Sequence, residues 1–225
     1  MRNKLLLTIL TLLPLQAAAQ RISSSIGSQG RWQLSKRWHV AASLASGYQM
    51  APTDAVWINT SLGGDFNVYD SLYIFASCSV TGANYVDIDN KDYVWQLTEG
   101  LRINTSRLFS HIISIDERRL VFRPSDYYIS CSRLSYECLK TFQLDDDRRW
   151  QLSINARTTL NINSDVSDNR LLQRFAAGLS INRKFLSNGS LQLHYEYMAG
   201  GTKQTYVNDC HDLHRISLFW LFNKW

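Results

Sequence analysis

The sequence predicts an all-β chain that closes into a transmembrane up-and-down antiparallel barrel of about 10–12 strands. Three observations carry this reading. Apolar and polar residues alternate with period two over long stretches, as in a strand with two unlike faces. An export signal precedes those stretches. The last strand ends on an aromatic residue, Trp225.

Composition sets the frame. The chain has 225 residues, 45% hydrophobic and 12% aromatic, with only three Pro, which argues for one folded domain and against disorder. Lys and Arg number 24 against 19 Asp and Glu. That mild excess supports no nucleic-acid partner.

The first element is a targeting segment. Arg2 and Lys4 form a basic start, Leu5 to Leu15 an apolar run, and Ala17-Ala18-Ala19 a cleavage signature. Residues 1–19 therefore read as a secretory signal peptide. The apolar run is too short to span a bilayer as a helix. Residues 20–225 form the single barrel domain, with 22 basic and 19 acidic residues left after cleavage.

A short strand is expected over 21–31. Next, Trp38, Val40, Ala42, Leu44, Ser46 and Tyr48 share one face of a strand. Val56 to Asn67 alternates in the same way, with Val56, Ile58, Thr60, Leu62, Gly64 and Phe66 on the apolar side. Less regular strands follow over 72–82, 93–105, 112–122 and 127–142. The clearest strand is Trp150 to Asn163. Trp150, Leu152, Ile154, Ala156, Leu160 and Ile162 lie on one side; Gln151, Ser153, Asn155, Arg157, Asn161 and Asn163 lie on the other. Strands over 172–185, 191–197 and 213–225 complete the series. Short turns fall near 34–37, 68–71, 106–110, 143–149 and 186–190. Longer links fall at 49–55, 84–92, 123–126, 163–170 and 200–212. This alternation suits an up-and-down barrel. Counting from 37–49 to 213–225 gives about ten strands, an even number. The 21–31 segment breaks that parity. It is either an element that enters the lumen, a strand that pairs beyond the seam, or the partner of a twelfth strand.

The apolar face is expected to point outward, at outer-membrane lipid. Trp38 and Tyr48 lie ten steps apart on one face, roughly 33 Å at about 3.3 Å per residue. A tilt of about 40° projects this to about 25 Å, the height of an outer-membrane apolar band. Trp38, Tyr48, Trp150 and Trp225 are thus candidate aromatic-girdle residues. The terminal Phe219 to Trp225 resembles the signal by which the barrel assembly machinery receives its substrates. Two residue groups resist the scheme. Glu99 shares a face with Trp95, Leu97 and Leu101, and Asp116-Glu117-Arg118-Arg119 puts charge on both faces. Charge on the lipid face is costly at the midplane, so either these residues lie near a rim or the register slips there.

Several segments together resemble the outer-membrane barrel family called domain of unknown function 2490, common in Bacteroidetes-type bacteria. They are Leu34-Ser35-Lys36-Arg37-Trp38, Ile115-Asp116-Glu117-Arg118-Arg119, Arg174-Phe175-Ala176-Ala177-Gly178-Leu179, and Tyr195-Glu196-Tyr197 followed by His214. Where that family often has Arg ahead of its Glu-x-Arg motif, this sequence has Ile113 and Ile115. The resemblance implies an outer-membrane barrel with no assigned activity.

Glu117, Arg119, Arg133, Glu137, Arg157, Arg174, His194 and Glu196 are the expected lumen-lining charges. They would either select anionic solutes or pair with one another and fill a narrow bore. No enzyme is expected, and no cofactor. An outer-membrane hydrolase acting on lipid would instead need His194 and Glu196 with a nucleophile such as Ser180 or Ser217. A soluble secreted ligand-binding barrel would bury the Trp150–Ile162 apolar face inside. Asp209-Cys210-His211-Asp212 and His214 read as a solvated loop rather than a metal site. Cys78, Cys131, Cys138 and Cys210 read as free thiols. Cys131 and Cys138 lie seven apart in one strand, on opposite faces, and cannot pair with each other. The chain is expected to be a monomer.

Overall fold

The computed structural model describes residues 21–50, 54–86, 91–106, 108–123, 127–164, 172–186, 189–199 and 213–224. The expected signal peptide, Cys210 with its neighbouring loop residues, and Trp225 lie outside these residues. Among the described residues, eleven strands form a single closed sheet. They are β1 (Arg21–Gln33), β2 (Trp38–Met50), β3 (Ala55–Tyr69), β4 (Leu72–Tyr85), β5 (Lys91–Ser106), β6 (Phe109–Arg123), β7 (Tyr127–Gln143), β8 (Trp150–Ser164), β9 (Leu172–Leu186), β10 (Gly189–Ala199) and β11 (Leu213–Lys224). Each strand from β2 onward pairs antiparallel with the one before it.

The 21–31 segment proves to be a full strand, and its place at the seam settles the parity. In a meander, successive strands alternate in direction. With an odd number, the first and last run the same way, so closure must be parallel. β1 indeed pairs parallel with β11, from Arg21 opposite Leu213 to Trp32 opposite Lys224. It pairs antiparallel with β2 on its other side. β1 therefore begins at the end of the barrel that carries the longer links, the loop end. β11 finishes at the opposite, turn end.

Sequence period becomes facing in the expected sense. Leu62 is 56% exposed on the outside, while Asp65 on the same strand is 8% exposed on the inside. Trp95, Ile58, Ile154, Ile162 and Leu193 are likewise exposed outside. Asp92, Asp116, Ser135, Thr159, Ser180, Glu196 and Ser217 are buried inside. A water-soluble barrel requires the reverse, because transfer of apolar surface out of water drives its folding. The interior is instead a wall of polar groups, interrupted by apolar ones such as Ala45, Ala176 and Met198.

Close packing over glycines holds the register of β1 against β11 and of β2 against β3. A Cβ on Gly27 would stand 2.7 Å from the ring of Phe219, its cross-strand partner in β11. A Cβ on Gly47 would stand 2.5 Å from the ring of Trp57, its partner in β3. Each ring lies over a bare glycine, which both fills the interior and holds the pairing in register.

Candidate functional site

The candidate site is the barrel interior. Facing follows from pairing, so each side chain can be placed by its strand and register. Arg133 and Glu137 on β7, Arg157 on β8, Arg174 on β9, and His194 and Glu196 on β10 all point inward. Glu117 and Arg119 do not. β6 pairs Glu117 with Leu97 and Arg119 with Trp95, which puts both on the apolar outer face. Both are exposed there. Their neighbours Asp116 and Arg118 turn inward in their place. The charged run Asp116 to Arg119 does not reveal its own facing. The signal lies in Ile113 and Ile115, which are exposed outside and share a face with Glu117 and Arg119.

Three polar clusters line the lumen. The first is near the turn end and gathers residues from β1, β2, β3 and β5. Arg31 donates through Nη2 to both carboxylate oxygens of Asp65, at 3.0 and 2.8 Å. Nδ1 of His39 lies 3.0 Å from Oδ1 of Asp65. Arg102 approaches Oδ2 at 3.6 Å and stacks over Tyr73, 5.3 Å from its ring centre. Sequence reading missed this cluster, because each member falls in a separate strand and only pairing brings them together.

The second cluster centres on Glu196. Arg157 donates through Nη2 to Oε1 at 3.0 Å, and Arg215 meets Oε2 at 3.6 Å. Arg157 is also the cross-strand partner of Glu137, whose Oε1 accepts from Asn155 at 3.0 Å. The bridge from β8 to β10 steps over β9, so it runs through the interior rather than along one strand pair.

The third cluster lies on β5, β6, β7 and β9, toward the loop end. Oδ1 of Asp116 accepts from Thr98 at 2.8 Å and from Gln96 at 3.3 Å. Arg118 lies within electrostatic range of Asp116, Arg133 and Arg174. The Nε atoms of Arg118 and Arg133 are buried and have no hydrogen-bond partner.

Hydroxyl pairs fill the space between the charges. Ser25 donates to Ser217 at 2.8 Å across the seam, and Ser135 and Thr159 are 3.1 Å apart. Ser180 Oγ lies 2.8 Å from Nδ1 of His194. This is the nucleophile–base contact that a hydrolase would need. It sits midway along β9 and β10 rather than at a rim, and Ser180 is buried. Glu196 is occupied by its two arginines. A Cβ on Gly178 would stand 2.3 Å from Oδ1 of Asn155 and 3.0 Å from the His194 ring, so the contact is walled by close neighbours.

The outer surface carries aromatic belts. At the turn end, Trp38 packs against Phe66 at 4.8 Å, Phe185 stacks on Trp220, and Phe222 packs tilted against Trp220. Arg183 lies over both Trp150 and Phe185, and Lys140 over Phe142, so the cations ride on the belt. At the loop end, Tyr48 donates to Asp54, and Tyr195 and Tyr197 flank His214. Trp38 and Trp150 lie among the turn-end aromatics and Tyr48 among the loop-end ones. A cavity of about 560 Å³ lies on the inner face, centred on the cross-strand row Ser61, Ser79, Gln96, Arg118 and Cys131. Cys78 is exposed on the outer face, Cys131 is buried inside, and both are free, as is Cys138.

No family model and no curated protein matches the chain. Among solved structures, the translocator domain of the autotransporter NalP from Neisseria meningitidis superposes with a TM-score of 0.58. The match covers 91% of this chain and 90% of that one, at 14% identity. At that identity the likeness speaks for architecture alone. This chain has an outer-membrane-type β-barrel fold resembling an autotransporter translocator domain.

Proposed function

We propose that the protein is a monomeric resident of the outer membrane whose role is structural or that of a narrow pore, its lumen filled by its own side chains. One observation carries the reading: an exposed apolar outer face encloses buried charges that pair with one another. In a wide pore, inward charges stand in water. Here Asp65, Asp116 and Glu196 are each at most 8% exposed. An eleven-stranded barrel lies just above the eight-stranded size that side chains alone can fill and well below the 16–18 strands of a porin. The reading includes removal of residues 1–19 on export, delivery to the assembly machinery through the terminal strand, and kinship with the barrel family that the sequence resembles.

Three measurements test it. Density fractionation places the chain with the outer membrane, and its folded form migrates differently on a detergent gel before and after boiling. Recovery from the soluble periplasm overturns the location. In a planar bilayer the purified barrel conducts poorly, with weak anion preference that salt screens. A large, steady, unselective conductance overturns the filled lumen.

A hydrolytic reading has the Ser180–His194 contact in its favour. A fluorophosphonate probe decides between the two. We expect no label on the folded barrel, and covalent label at Ser180 would make the protein an enzyme.

A further inference from the structure

We propose that Cys131 is a modification site, a lumen thiol that forms a mixed disulfide with a small anionic disulfide. The inference goes beyond the filled-lumen reading and rests on it only for the facing of β6 and β7.

Facing separates this thiol from the others. Cys131 pairs with Arg118 on β6, and Arg118 with Gln96 on β5, so its side chain belongs to the inner row. Cys78 pairs with Leu62 and Leu97, and Cys138 with Ala156, which puts both on the apolar outer face. A charged reagent in water therefore meets Cys131 and is kept from the other two by lipid. Cys131 is 8% exposed, and that surface fronts the cavity of about 560 Å³ that Ser61, Ser79, Gln96 and Arg118 also line. The volume is that of a small-molecule site. Cys131 is the fifth residue of β7 from the loop end. At about 3.3 Å per residue and a tilt of about 40°, it lies about 10 Å below that rim.

The cavity wall selects the charge of the reagent. Arg118 lies directly across the strand pair from Cys131, so their Cβ atoms stand about 5 Å apart. Its guanidinium is within electrostatic range of the sulfur. Among the described residues, no carboxylate ion-pairs with Arg118, and its buried Nε makes no hydrogen bond. Arg31 and Arg215 also carry an unmatched Nε, but each already meets a carboxylate, Asp65 or Glu196. Asp116 lies two residues along β6 on the same face, and its Oδ1 is taken by Thr98 and Gln96. The planar fork of Arg118 can thus hold a carboxylate of the reagent and bring its S–S bond to Cys131. The step balances without an outside oxidant. The Cys131 sulfur gives up its proton and attacks one sulfur of the disulfide. A new S–S bond forms, the old one breaks, and the departing half leaves as a thiol carrying that proton.

Two disulfides of matched size and opposite charge test the site: dithiodipropionate, an anion, and cystamine, a cation. Each is offered to the full barrel carrying Cys210→Ser, folded in lipid vesicles, and adducts are read by intact mass and peptide mapping. We expect one adduct per chain, at Cys131, that a reductant removes. With each rate divided by that of the urea-unfolded chain, dithiodipropionate should react about tenfold faster than cystamine, the value of one charge-assisted hydrogen bond. Arg118→Gln should bring that ratio close to one. Arg119→Gln, on the same strand but the outer face, should leave it unchanged. Heat-modifiable migration checks the folding of each variant. If Arg118→Gln fails to fold, Arg118→Lys keeps the charge, loses the fork and should still lower the ratio. No adduct at Cys131, an adduct at Cys78 or Cys138 in its place, equal rates from the two probes, or a ratio that Arg118→Gln leaves unchanged overturns the site. A wide conductance in the bilayer would sink the filled lumen separately, while peptide mapping still reports on Cys131.

Discussion

Replacing Glu196 by alanine tests whether the lumen is held together by its own charges. The carboxylate is 5% exposed and receives Arg157 at 3.0 Å and Arg215 at 3.6 Å. Its removal leaves both guanidiniums facing each other and Glu137 as the remaining counter-charge. Breaking a fully buried pair costs about 3–5 kcal/mol, because the abandoned charge stays desolvated. The two arginine side chains are 36% and 39% exposed, so water can reach part of each. That brings the expected cost down to about 2–3 kcal/mol.

The assay is urea unfolding of the detergent- or vesicle-folded barrel, followed by tryptophan emission and by heat-modifiable migration. The folded-to-unfolded ratio should fall about 30- to 160-fold at constant m-value. Glu196→Gln keeps an acceptor for Arg157 and should lose about half as much. The same alanine variant should raise conductance in a planar bilayer, because a strut between β8 and β10 has gone. A loss below about 0.5 kcal/mol with unchanged conductance would show that Glu196 stands in bulk water. The lumen would then be open, and the filled-barrel argument would fail.

Other consequences are open to measurement. Single cysteines placed along 150–163 in a variant without the native four should react with an impermeant thiol reagent at Ser153 and Asn155 and be silent at Leu152, Ile154 and Leu160; the opposite pattern would invert the facing. An epitope inserted between Gln20 and Arg21 should be accessible at the cell surface, because β1 begins at the loop end; access only from the periplasmic side would refute the parallel seam. Leu62→Arg, near the middle of the outer face, should cost about 2–4 kcal/mol of barrel stability in lipid, against about 0–1 for Val56→Arg near a rim, and equal costs would refute a lipid-facing surface.

Most of the fold was legible because one physical signal repeats. Strands such as Trp150–Ser164 are apolar on every second residue, and the structure turns those residues outward. The inward facing of Arg133, Glu137, Arg157, Arg174, His194 and Glu196 follows from the same period. Glu117 and Arg119 escaped it because four charged residues in a row erase the alternation that reveals facing. Arg31, His39, Asp65 and Arg102 were out of reach for another reason. Each is an ordinary polar residue on its own strand, and their meeting depends on which strands neighbour each other around the barrel. Sequence period gives facing, but only pairing gives company.

The eleventh strand shows how far such local rules extend. Ser23, Ser25, Gly27 and Gln29 make the inward face of β1 small and polar, and the outward Ser24, Ser28 and Gly30 blur its apolar side. Alternation is therefore weakest where the barrel closes. What holds β1 is its two neighbours: a backbone ladder on each side, the Ser25–Ser217 hydrogen bond, and the ring of Phe219 set over Gly27. A strand of this kind carries little apolar signal because it is specified by fit to its neighbours, which also explains why small residues concentrate there. An unpaired edge would expose a row of donors and acceptors at the depth of the apolar band, where each costs several kcal/mol. Parallel pairing is slightly weaker per residue than antiparallel pairing. That difference is small beside an open edge, and so an odd meander gains by closing.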